Sequence, residues 1–209
     1  MRQAGFRSVW MRCLAIFLLL SARVASASSP GDELRAAVER VQQILNDPQL
    51  KSEDKKADRL ARLRKAIFPK FDFAEMAKRS LGAHWRRRSA DEQQEFVKLF
   101  TRLLEHAYAD SIDSYDGEKV VITGEKRDED FAEVFTKIVT KKGEDFSVNY
   151  RMRETDGGWK IYDVVIENIS LVNNYRSQFR RVIGKSSYED LLRDMKSMHF
   201  GAPGRKVQS

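Results

Sequence analysis

Apolar positions along this chain repeat first with a helical period, then with a period of two, then helically again. Between Gly31 and Asn46, Leu34, Val38, Val41 and Leu45 recur at three-to-four spacing, which predicts a helix that Asp47-Pro48 stops. Ser52 is placed to cap a second helix running to about Ile67, with Leu60, Leu63 and Ile67 on its apolar face. A turn at Pro69 leads to a short helix ending near Gly82. Ser89-Ala90-Asp91-Glu92 then reads as a capping box, in which Ser89 accepts from a first-turn amide and Glu92 reaches back. Behind it Phe96, Leu99, Phe100, Leu103, Leu104, Ala107 and Tyr108 form one broad apolar stripe.

The period falls to two at Lys119. Strands are expected over about 119–125, 131–141, 144–154 and 158–167, parted by Asp128-Glu129-Asp130, Lys142-Gly143 and Asp156-Gly157-Gly158. Phe146, Val148, Tyr150 and Met152 alternate with Ser147, Asn149, Arg151 and Arg153, so one face is apolar. Turns this short predict an antiparallel meander. Helical spacing returns from Ser170 to Ile183, on Leu171, Tyr175 and Phe179, and again after Ser187, from about Tyr188 to His199. Helices, then strands, then helices predict an α+β domain. Tyr162, Val164 and Ile166 on the last strand are expected to meet Leu171, Tyr175 and Phe179, around either a cavity or a filled core.

Composition changes the picture at the N-terminus. Arg2, Arg7 and Arg12 precede the unbroken apolar run Leu14 to Leu20, and Ala25-Ser26-Ala27 has the small-x-small pattern of a signal peptidase site. A run this short falls well below the ~20 residues a membrane-spanning helix needs, so residues 1–27 are expected to be a cleaved export signal. No lipobox surrounds Cys13. Cys13 is the only cysteine of the chain, so the exported form is expected to have neither a disulfide nor a thiolate. The leader also takes Arg2, Arg7, Arg12 and Arg23 and no acid, so four charges leave and the net charge falls from +7 to +3. Residues 28–200 are of a size for one domain, and residues 201–209 read as a flexible tail.

Candidate chemistry is sparse. His84, His106 and His199 are in no metal-ligand spacing, and no phosphate loop, dinucleotide fingerprint or nucleophile elbow occurs. Asp113, Asp163 and Glu167 are the acids that could serve a cavity, with a structural role for Asp163 the stronger expectation. Trp85-Arg86-Arg87-Arg88 suggests a nucleic-acid patch in isolation, but in an exported chain it reads as a surface facing a membrane or a partner. No catalytic residue, cofactor or metal is expected.

Gly82, Trp85, Trp159-x-x-Tyr162-Asp163-Val164, Ser170-Leu171 and Tyr175-Arg176-x-Gln178-Phe179 occur in this order across nearly the whole exported chain. This set resembles the MlaC family, also called the toluene-tolerance auxiliary family. The resemblance implies a curved four-stranded antiparallel sheet, a roll of the nuclear-transport-factor kind, packed on about six helices around an apolar cavity. It implies a periplasmic phospholipid carrier. Such a carrier works with an inner-membrane ABC transporter and an outer-membrane lipoprotein complex to maintain lipid asymmetry, and it is expected to be a monomer that binds no nucleic acid. On that reading Phe96, Phe100, Leu103, Leu104, Tyr108, Phe146, Val148, Tyr150, Met152, Tyr162, Val164, Ile166, Leu171, Tyr175 and Phe179 are the candidate lipid contacts. A hopanoid-associated carrier of the same family is the nearest alternative. A roll-fold isomerase or dehydratase needs an acid or histidine that the sheet face lacks, and a receptor for a small polar solute needs two lobes.

Overall fold

A computed structural model describes residues 28–113, 115 and 117–200 of the 209-residue chain. The expected leader and tail lie outside the described residues. Helix α1 (Pro30–Asn46) starts at Ser29, whose hydroxyl accepts from the Asp32 amide, with Pro30 in the first turn. The chain then makes a short 3-10 turn over Glu53–Lys55 before α2 (Lys56–Ile67), and Ser52 makes no side-chain cap. Helix α3 (Phe73–Leu81) is capped by Asp72 and ends at Gly82, whose φ of +61° is easy for glycine and strained for other residues. A 3-10 turn over Gly82–Arg87 leads to α4 (Ala90–Asp113). There the capping box forms reciprocally: the Ser89 amide donates to Glu92 at 2.7 Å and the Glu92 amide to Ser89 Oγ at 3.3 Å.

The sheet is an antiparallel meander in the order β1-β2-β3-β4-β5. Its strands are β1 (Lys119–Asp128), β2 (Phe131–Val139), β3 (Asp145–Thr155), β4 (Gly158–Ile166) and the two-residue β5 (Ile169–Ser170). The fifth strand was not expected from the sequence. It arises because a tight turn with Glu167 and Asn168 at positive φ folds the chain back on the end of β4 before the next helix starts. Bulges at Thr123 and Tyr162, where one strand carries an extra residue, add to the bend of the sheet. Helices α5 (Leu171–Lys185) and α6 (Tyr188–Lys196) follow, capped by Ser170 and Ser187 through the amides of Asn173 and Asp190.

Among the described residues three apolar clusters hold these elements. The first joins α3, α4, α5 and α6 around Met76, Phe96, Phe100, Leu103, Tyr175, Phe179, Leu191 and Met195, all fully buried. The second lies between α1 and the concave sheet face, on Leu34, Val134, Val148, Met152, Trp159 and Ile161. The third is a small satellite between α1 and α2 on Ile44, Leu50 and Leu63, with Ile112 of α4 against it. Arg59 fastens this α1–α2 hairpin, donating to both Asp113 oxygens at 2.5 and 3.1 Å and to the Leu50 carbonyl.

Candidate functional site

A cavity of about 340 Å³ lies between α1 and the concave face of the sheet. One turn after another of α1 contributes to it: Leu34, Ala37 and Val38, then Val41, Gln42 and Leu45. The helical period places these on one side of α1, and the opposite side carries exposed Arg35, Glu39 and Arg40. Val120, Ile138, Phe146, Tyr150 and Ile161 form the sheet wall, and Ile67, Phe71, Ile112 and Tyr115 also line the space. The polar members are few. Among the described residues Lys70 is the cation in the wall, and it pairs with Glu33 at 3.4 Å. Glu33 is itself anchored by the Trp159 amide at 3.2 Å, an approach that a side chain at Gly158 would block. Burial pushes the Tyr150 hydroxyl up to about 12, so it stays protonated and uncharged in the wall.

The expected lipid contacts distribute unevenly around this space. Phe146 and Tyr150 stand in its wall. Val148, Met152, Val164 and Leu171 share the second cluster beside it, with Ile166 packed against them. Phe96, Phe100, Leu103, Leu104, Tyr175 and Phe179 instead fill the all-helical cluster, where ring packs on ring: Phe100 meets Tyr175 at 5.6 Å and Phe96 meets Phe179 at 5.7 Å. Tyr108 touches both clusters, and its hydroxyl is buried without a hydrogen-bond partner. Tyr162 does not share a face with Val164 and Ile166. The bulge opposite Arg151 and Met152 turns Tyr162 to the other side, against Phe131 at 5.8 Å and beneath the Arg79 guanidinium. Below the bulge Trp159 and Ile161 take the inner face instead.

The acids considered for chemistry are all engaged elsewhere. Asp163, 3% exposed, accepts from Ser170 Oγ at 2.6 Å, the Val172 amide at 3.1 Å and Arg151 at 3.3 Å, so it ties β4 to the start of α5. Hydrogen bonds from Arg59 hold Asp113 below the usual carboxylate range. Glu167 accepts from the Ser147 amide and hydroxyl. Among the described residues no group of His, Cys, Asp and Glu could hold a metal ion, and no helix is long and apolar enough to cross a membrane.

Helix α1 contributes more of the wall than any other single element. Its apolar stripe was legible by spacing, but nothing in the spacing says that a stripe faces a void. The arrangement is a largely apolar slot beside a curved sheet, suited to holding hydrocarbon.

Residues 35–197 match the model of the family described as MlaC protein. The intermembrane phospholipid transport system binding protein MlaC of Haemophilus influenzae is 25% identical over 138 residues, which are 64% of this chain and 64% of that protein. The chain thus spans just under two thirds of that relative's length. The toluene tolerance protein ttg2D of Pseudomonas putida is 25% identical over 171 residues, 79% of this chain and 77% of that one. A phospholipid-binding protein from Ralstonia solanacearum, solved in complex with a phospholipid, superposes with a TM-score of 0.71 at 24% identity. The match covers 82% of this chain and 97% of that one, a likeness of fold.

Proposed function

This chain belongs to the MlaC family, and from that premise we propose that it is a periplasmic phospholipid carrier that holds acyl chains in the slot under α1. The observation that carries the reading is the slot itself: among the described residues its lining is mainly hydrocarbon, and the polar groups come from Gln42, Lys70, Tyr115, Glu118 and the Tyr150 hydroxyl. Two acyl chains of roughly fifteen methylenes each gain ~20–25 kcal/mol on leaving water. A bilayer offers nearly the same gain, so a carrier needs only a slot about as apolar as a membrane. Little head-group chemistry is required, and the wall supplies little.

The carrier exchanges lipid with an inner-membrane ABC transporter and an outer-membrane lipoprotein complex, and it does no covalent chemistry. That Asp113, Asp163 and Glu167 are all bonded to structural partners supports this part of the reading. Residues 1–27 act as its export signal, residues 28–200 as its lipid-binding domain and residues 201–209 as an appended tail. The test is native mass spectrometry of protein recovered from the periplasm, followed by lipid analysis of the extract. About one phospholipid per chain is expected. Protein that carries no extractable lipid, and gains no thermal stability when phospholipid is added, would falsify the proposal.

A further inference from the structure

The positive charge of this molecule is not spread evenly. Between Glu75 and Asp91 the chain carries Lys78, Arg79, Arg86, Arg87 and Arg88 and no carboxylate. Between Glu167 and Glu189 it carries Arg176, Arg180, Arg181 and Lys185 and again none. The fold puts these two stretches side by side. Arg176 donates to the Arg79 carbonyl at 2.7 Å. Trp85 packs on Phe96, and Phe96 on Phe179 of α5, so the 3-10 turn and α5 rest on the same rings. On α5 the buried residues Leu171, Val172, Tyr175 and Phe179 take one side, which leaves Arg176, Arg180, Arg181 and Lys185 on the other, all exposed.

Neutralisation reaches only the edge of this face. Glu75 pairs with Lys78 and Arg79, and Glu92 with Arg88. Among the described residues no carboxylate within 4.0 Å answers Arg86, Arg87, Arg176, Arg180, Arg181 or Lys185. A protein-docking surface generally has an apolar or aromatic centre inside its polar rim. Among the described residues the large exposed apolar side chains are Val121, Phe131, Phe146 and Ile169; none lies on α3, α5 or the 3-10 turn, and Phe131 meets this face only under Arg79, whose guanidinium Glu75 already pairs. Unpaired cations without an apolar centre fit a partner that offers only diffuse negative charge.

We propose that this face docks the protein on an anionic phospholipid bilayer. Each lysine or arginine near such a surface raises partitioning about fivefold, an effect that salt removes. None of the unpaired cations lines the slot, so docking and cargo binding are separable.

The experiment sediments periplasm-purified protein with phosphatidylcholine vesicles, and with vesicles containing about one third phosphatidylglycerol, at ~0.01 M and ~0.5 M salt. Binding is expected only to the anionic vesicles, and only at low salt. Arg86→Glu/Arg87→Glu/Arg180→Glu should lose at least about tenfold in partitioning, with bound-lipid content and melting temperature unchanged. Arg35→Glu/Lys51→Glu/Lys126→Glu makes the same change in net charge on other surfaces and should stay within about twofold of the parent. Equal loss in both triple variants, undiminished binding by the first, or equal binding to neutral vesicles would overturn the proposal. So would failure to bind any vesicle, including the case in which an acidic protein binds this face instead.

Discussion

Asp163 holds three donors that belong to different parts of the fold: the Ser170 hydroxyl, the Val172 amide and the Arg151 guanidinium. Removing the carboxylate orphans a buried amide at the start of α5 and leaves Arg151 with only Glu133, at 3.6 Å. Asp163→Ala should therefore cost about 3 kcal/mol, read as a lower urea midpoint with lipid capture proportionate to the folded fraction. Asp163→Asn keeps an acceptor for the Val172 amide and should cost less. A loss under about 1 kcal/mol for the alanine variant would remove Asp163 from this role. Asp113 gives a pH signature. Its folded pKa lies below the ordinary ~3.9, because Arg59 donates two hydrogen bonds to it. The pair's contribution is complete above about pH 4 and is lost as pH falls through the folded value. Asp113→Asn should accordingly melt lower than the parent at neutral pH, with the gap closing on acidification. A gap that stays constant down to acid denaturation would show that the pair adds nothing by titration.

At the scale of elements, what could be read in the sequence was what depends on neighbours along the chain. Ser89 with Glu92, and Ser187, cap the helices that their spacing announces, because a cap is settled within one turn, whereas Ser52 makes no side-chain cap because a short 3-10 turn precedes α2. Phe146, Val148, Tyr150 and Met152 share a face, because β3 alternates without interruption up to Met152. Tyr162 was misplaced by the same rule. A bulge inserts one residue, and every side chain beyond it changes face. For the stripe from Phe96 to Tyr108, and for Tyr175 and Phe179 facing it, the spacing leaves cavity and filled core equally open for a different reason: whether a stripe meets other side chains or a space depends on which elements pack there. Helices α3, α5 and α6 fill the space against α4, whereas α1 stands off the sheet. Two substitutions separate these environments. Ala37→Trp, in the slot wall, should fold with little loss and cut uptake of a fluorescent phospholipid severalfold by filling the void. Phe100→Ala, in the packed cluster, should cost about 4 kcal/mol while any protein that stays folded still takes up lipid. The opposite pattern would move the lipid site from α1 to the helical cluster.

For the molecule as a whole, volume sets what the slot can hold. A methylene, close in size to a water, takes about 30 Å³, so 340 Å³ admits about eleven of them. That is most of one acyl chain and well short of two. A diacyl lipid therefore either leaves much of one chain at the open mouth or lifts α1 from β1 and β2. Among the described residues the polar ties opposing such a lift are few: Glu125 to the Gly31 amide at 2.9 Å, and Glu33 to the Trp159 amide and to Lys70. Hydrogen exchange distinguishes the two outcomes, since a lifted α1 should exchange its amides faster in the diacyl complex than in a complex with a single-chain lysophospholipid. Both complexes should melt above the emptied protein, because a ligand that binds only the folded chain stabilises it by RT ln(1 + [L]/Kd), about 2.7 kcal/mol at a hundredfold excess over Kd. For a domain of this length that corresponds to a rise of roughly 5–10 °C. Acidic side chains play no part in holding hydrocarbon, so the rise should persist across the pH range in which the protein is folded. If it tracked the ionisation of an acid or disappeared in high salt, charge rather than apolar burial would be what holds the lipid.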